Sequence, residues 1–143
     1  MKTLSLSDAS TIVDTALATA RESACAPMSV AVLDAGGHLV AFKRGDNSGI
    51  LRPQIAQAKA WGALGMGVGS RALAQRAEAS PAFFSALTDI SAGRIVPVAG
   101  GVLIRNADNH VIGAVGISGD HPEKDEACAI AGILRAGLQA DVG

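Results

Sequence analysis

PVAGGVLIRNADNHVIGAVGISGD, residues 97–120, is the stretch whose reading decides the fold. The glycine pair Gly100-Gly101 precedes a β-branched run, Asn106-Ala107-Asp108-Asn109-His110 is a polar turn, and Val111 to Ser118 is a second apolar run rich in small residues. Two such runs joined by turn residues read as a β-hairpin. Strand alternation predicts Ile112, Ala114, Gly116 and Ser118 on one face, with Val111, Gly113, Val115 and Ile117 on the other. The first face is stripped almost to backbone at its far end, so another element is expected to pack closely there. Ser118-Gly119-Asp120 leads into a helix opening at Pro122, a residue suited to a first helical turn. The two ends of the hairpin therefore converge beside a helix N-terminus, where a ligand pocket is expected.

Upstream, Met28 to Leu33 and Leu39 to Arg44 form another hairpin around Asp34-Ala35-Gly36-Gly37-His38, whose glycines suit the turn. Before it, Ala9, Ile12, Val13, Ala16, Leu17 and Ala20 share one face of a helix over Ser5 to Ala24, with Ser5 or Ser7 as N-cap and Pro27 ending it. Between the hairpins, a largely apolar helix starts at Pro53 and is weakened by Gly62, Gly65, Gly67 and Gly69, so it is expected to end near Leu64 or Gly65. Ser70 to Ala79 and Ser80 to Leu87 read as two shorter helices, the second placing Phe83 and Phe84 in the core. The last helix carries Glu123, Asp125 and Glu126 near its start, where the helix dipole favours negative charge. Its core face is Ala127, Ile130, Ala131, Leu134 and Leu138. This order predicts one α+β domain over residues 1–143, with an antiparallel sheet packed with helices.

Composition narrows the function classes. A formal net charge of -1 offers no electrostatic footprint for nucleic acid or an anionic membrane, and neither is expected as a partner. The opening MKTLSLSDAS has no apolar segment of a secretory leader, so none is expected. Cys25 and Cys128 are isolated thiols outside any C-x-x-C, which suits a reducing, cytoplasmic compartment. Three Phe, one Trp and no Tyr stand against 17 Gly, so the core must be aliphatic and closely packed.

Two groups of residues could carry chemistry. Lys59 is the only charged residue between Arg52 and Arg71, and an ammonium buried there needs a partner or a ligand. With Arg44 it could clamp a carboxylate, or both could belong to an ion-pair network with Asp34, Asp46, Asp125 or Glu126. The second group is Ser118, Gly119 and His121 at the entrance to the last helix. There Ser118 and His121 are candidate catalytic residues with Asp120 or Asp125 orienting the imidazole, the backbone is a candidate anion site, and an ordinary helix cap is the plain alternative. No G-x-S-x-G surrounds Ser118, and no G-x-G-x-x-G surrounds Gly100 and Gly101, which read as either a bulge or a bare ligand-facing surface. His38 and His110 fall in turns, and no histidine spacing marks a metal site. The expected ligand set is Arg44, Lys59, Gly100, Gly101, Ser118 and Gly119; the alternative is a catabolic enzyme, a hydrolase or isomerase acting on a small organic acid, with Lys59, His121 and Ser118 as its catalytic residues and Arg44 anchoring the carboxylate.

VAVLDAGGHLVAFKRGD, AKAWGALGMG, the Gly100-Gly101 pair, and VIGAVGISG followed by DEACAIAG together resemble the GlcG/HbpS family, which includes heme-binding proteins and the C-terminal domain of PduO-type proteins. The resemblance implies a profilin- or roadblock-like layer with a five-stranded antiparallel sheet. It also implies homo-oligomers, octamers among them, and non-covalent heme as the leading ligand. Axial ligation here would fall to His38, His110, His121, Met28, Met66, Cys25 or a hydroxyl, since Tyr is absent. An oligomeric scaffold or sensor with no catalytic role is a further alternative.

Overall fold

The computed structural model describes residues 3–143, so the first two residues of the opening stretch lie outside it. Helix α1 (Leu6–Glu22) precedes strands β1 (Ser29–Asp34) and β2 (Leu39–Arg44). Helices α2 (Arg52–Met66), α3 (Ser70–Ala79) and α4 (Pro81–Ile90) follow. Strands β3 (Gly101–Arg105) and β4 (Val111–Ser118), helix α5 (Pro122–Arg135) and strand β5 (Gln139–Asp141) complete the chain. Both expected hairpins form, and they meet through β1 and β4 in one antiparallel sheet of order β2-β1-β4-β3-β5.

Helices α1 and α5 cover one face of this sheet. Val30, Val32, Val102, Ile104, Val115 and Ile117 meet Ile12, Val13 and Ile133 there in the main core. The Ser5 side chain caps α1 by accepting the Asp8 amide at 3.0 Å. Cys128 lies in this layer at 2% exposure, with half-buried Cys25 against the same core. Burial pushes the Cys128 thiol up to about 12, and the neighbouring Cys25 adds to the rise.

Helix α2 covers the other face, in a way the bare strand surface dictates. Ala31, Gly116 and Gly101 are paired in one row across β1, β4 and β3, so three neighbouring strands present almost no side chain. The α2 backbone sits directly on this row. A Cβ at Gly116 would collide with the Ala56 carbonyl, and one at Gly101 with the Lys59 carbonyl. Leu33, Leu103 and Ala114 continue this face, packing with Ala60 and Ala63 of α2.

Four expectations need correction. The core face of α5 is Cys128, Ala129, Gly132 and Ile133, with Ala127 and Leu134 of the expected face exposed, because α5 is rotated so that its buried Asp125 and Glu126 reach Lys59 and Arg71. The register slips where Ile104 pairs Gly113 but Arg105 pairs Val111, so Ile112 is an extra, bulged residue. The bulge shifts the alternation, and Ile112 joins the main core while Val111 packs with the α2 face. Leu138 is not helical: α5 stops at Arg135, and the chain turns back to lay β5 against β3, with Arg105 Nε donating to Asp141 Oδ2 at 2.8 Å. Of the two phenylalanines, only Phe84 enters the interior; Phe83 is 55% exposed, because α4 packs on α3 rather than on the sheet.

Gly116→Ala is expected to destabilise the fold by about 2–3 kcal/mol, since the added methyl must lift α2 off the sheet. Urea denaturation checks this; an unchanged midpoint would show that α2 is not seated as described.

Candidate functional site

The α2 helix turns about 100° per residue, so residues two apart face nearly opposite ways. Seated on a flat, bare sheet, it presents Lys59 on one flank and Trp61 on the other.

On the first flank, Lys59 is 3% exposed. Its Nζ donates to the Ile117 carbonyl at 2.9 Å and to Asp125 Oδ2 at 3.2 Å. The Asp125 carboxylate also accepts the Asp120 amide at 2.9 Å. Burial lowers the Lys59 pKa against the pull of Asp125, and burial raises that of Asp125 against the Asp120 amide and Lys59. Gly100 adopts φ +124°, a conformation glycine tolerates, and Lys59 Nζ occupies the space where its side chain would be, 2.8 Å from an ideal Cβ. Gly101 donates its amide to Ser70 Oγ at 2.6 Å. Lys59, Gly100, Gly101 and the end of β4 are thus brought together, with the chain's own atoms filling the bare glycine surface.

The other expected residues are distributed around this nest. Ser118 Oγ accepts from Arg52 Nη1 at 3.0 Å, an arginine the sequence reading used only as a boundary. Side-chain hydrogen bonds therefore join Ser118 to Arg52 and Asp125 to Lys59 rather than to the imidazole of the exposed His121, whose backbone carbonyl accepts the Asp125 amide at 3.0 Å. Gly119 lies buried against Met28. Arg44 is exposed, and its Nη1 donates to the Ser48 carbonyl at 3.0 Å rather than joining Lys59. Of the carboxylates named for the ion-pair network, Asp125 pairs with Lys59 and the buried Glu126 with Arg71 of α3.

The second flank holds an open groove of about 590 Å³ between α2, the β1–β2 turn and the loop after α4. Leu33, Leu39, Ala58 and Trp61 supply its apolar walls. Gln54 and Gln57 supply amides, and Arg94 a guanidinium whose carbon lies 4.2 Å from the Trp61 ring centroid. Arg94 is delivered there by its neighbours. Ala92 and Gly93 take left-handed φ values of 56° and 78°, and buried Ile95 packs against α2 where Gly62 leaves room. His38 lies between the groove residues Gly37 and Leu39 in sequence, but its ring is outside the groove lining, 80% exposed beside Gly36, with Nδ1 3.1 Å from Asp34 Oδ1. The backbone amide of His38, with its side chain and the Gly36 amide adding to the effect, holds the Asp34 carboxyl below its usual range. Among the described residues, no group of three or more His, Cys, Asp or Glu could hold a metal ion, and no helix is long and apolar enough to cross a membrane.

An antiparallel five-stranded sheet with two helices on one face and one seated on the other places the chain in the α+β class. The HbpS-like family, described as "Haem degrading protein HbpS-like", matches residues 4–134, and the chain belongs to it. Among solved structures, PduOC in a complex with heme is 25% identical, with a TM-score of 0.86 over 96% of this chain and 98% of that one. The ORFY protein of Klebsiella pneumoniae, of family DUF336, is 26% identical, with a TM-score of 0.85 over 96% and 92%. HbpS is 27% identical, with a TM-score of 0.81 over 94% and 90%. No curated protein matches the sequence.

The Lys59–Asp125 pair generates a stability prediction. Lys59→Met or Asp125→Asn alone is expected to cost about 3–5 kcal/mol, because each leaves a buried group without its counter-charge. The double variant should cost much less than the sum, as measured by denaturant melts of all four proteins; strict additivity would mean the two groups do not interact.

Proposed function

We propose that the protein binds heme non-covalently, in the groove between α2 and the β1–β2 turn. The observation that carries this reading is the groove itself. Its volume falls within the roughly 300–1,000 Å³ usual for small-molecule sites, and its apolar walls end at a cation. A flat macrocycle can lie along Leu33, Leu39, Ala58 and Trp61, and Arg94 offers a positive partner for its carboxylates. His38, whose chain neighbours Gly37 and Leu39 line the groove, is the axial ligand of this reading. Asp34 orients its Nδ1 and leaves Nε2 free, the arrangement that orients metal-binding imidazoles generally. Of the other candidates, Met28 is 2% exposed inside the main core. The likeness to PduOC, solved with heme, and membership of the HbpS-like family support the same ligand. When bound, heme would supply a redox-active iron; the chain's part is to orient it and shield one face from water.

Assembly into a homo-oligomer belongs to this proposal. Ile50 and Ile90 are 90% and 79% exposed, and Leu51 and Phe83 add further apolar surface suited to burial against another copy. The free thiols Cys25 and Cys128 support a reducing, cytoplasmic setting.

A hemin titration followed at the Soret band tests the reading. The expected result is a saturable, shifted band near one equivalent per chain, with affinity reduced about 10-fold or more and an altered band position in His38→Ala. A featureless, nonsaturating response would overturn it.

A further inference from the structure

We infer that Arg94 is a displaceable cover on Trp61, and that it selects planar ligands carrying a carboxylate whether or not they hold a metal. This rests on the groove being the ligand site. The guanidinium stacks on the indole at 4.2 Å, and its Nε donates to the Ser91 carbonyl at 2.8 Å. Among the described residues, no carboxylate lies within ion-pair distance of it, whereas Arg71 and Arg105 are paired with Glu126 and Asp141. An exposed cation–π contact is a weak tie, and a flat conjugated ring can take the guanidinium's place on the same indole face.

The cover can move without the fold moving. The left-handed Ala92-Gly93 turn and the anchoring of Ile95 at Gly62 hold the Arg94 backbone beside the groove, so the exchange needs only side-chain rotation. The released guanidinium then has its planar fork of donors free for a carboxylate on the ligand's edge, a geometry that lysine cannot reproduce. Gln54 and Gln57, on the groove's α2 wall, offer neutral amides and no competing negative charge. The site therefore reads two features of a ligand, a flat apolar face and an anionic edge. Neither requires iron.

Metal-free protoporphyrin IX and its dimethyl ester separate these features, and emission of Trp61, the only tryptophan, reads their binding. The diacid is expected to bind saturably and the ester about 10-fold more weakly, the usual scale for one charge-assisted hydrogen bond. Arg94→Gln should abolish the preference with the far-UV circular dichroism unchanged, and Arg94→Lys should restore it only in part. Equal affinity for diacid and ester in the native protein, or a preference that survives in Arg94→Gln, would overturn the inference. Hemin titrations of the same samples keep the two proposals apart. A saturable Soret shift without carboxylate preference would overturn the Arg94 inference and leave heme binding standing. A carboxylate preference removed by Arg94→Gln, without any Soret response to hemin, would support the inference and overturn the heme reading.

Discussion

The seating of α2 on the bare row Ala31–Gly116–Gly101 is the constraint on which the rest of the structure depends. A helix separated from a sheet by large side chains can rotate or slide as those side chains repack. Backbone against backbone allows neither, because every shift brings a carbonyl into collision. The rotation of α2 is therefore fixed, and with it the two directions in which Lys59 and Trp61 leave the helix. One points to the closed polar nest, the other to the open groove.

The closed side couples the two helical layers. Lys59 belongs to the layer on one face of the sheet and Asp125 to the layer on the other, and they meet at the end of β4, where Gly100 leaves a gap. Arg71 and Glu126 make a second contact from α3 to α5, one residue further along. Pairs of this kind add little net stability over apolar packing, but they are intolerant of mismatch. They hold the start of α5 in register with α2, so the sheet is clamped from both faces at the end opposite the β1–β2 turn. The groove then lies beside the more accessible β1–β2 turn.

Much of this was legible from residue patterns. Both hairpins, the α1 face, the need of Lys59 for a partner and the close approach at Gly116 follow from alternation, periodicity and the cost of burying charge. The bulge at Ile112 was not legible, because an extra residue inside an apolar run leaves the composition of the strand unchanged. Strand β5 is three residues long and continues an apparently helical pattern through Leu138, so only pairing with β3 defines it. For the site, sequence proximity drew Ser118 and His121 together, but Ser118 faces α2 and its hydroxyl meets Arg52 instead. The groove was missed because its walls come from β1, the β1–β2 turn, α2 and the loop after α4. Its one local signal was the lone tryptophan, on the opposite flank of the helix from the lysine that drew attention.

Cys128 has a consequence of its own. The thiol is shut between α1 and α5 and pushed up to about 12, so it is almost wholly protonated at neutral pH and sterically screened as well. Alkylation there has to wait for the layer to part. The half-buried Cys25, against the same core, gives a second labelling site beside it. The slower of the two labelling rates is thus a built-in clock for the opening of the α1–α5 layer, readable without adding a probe to the chain.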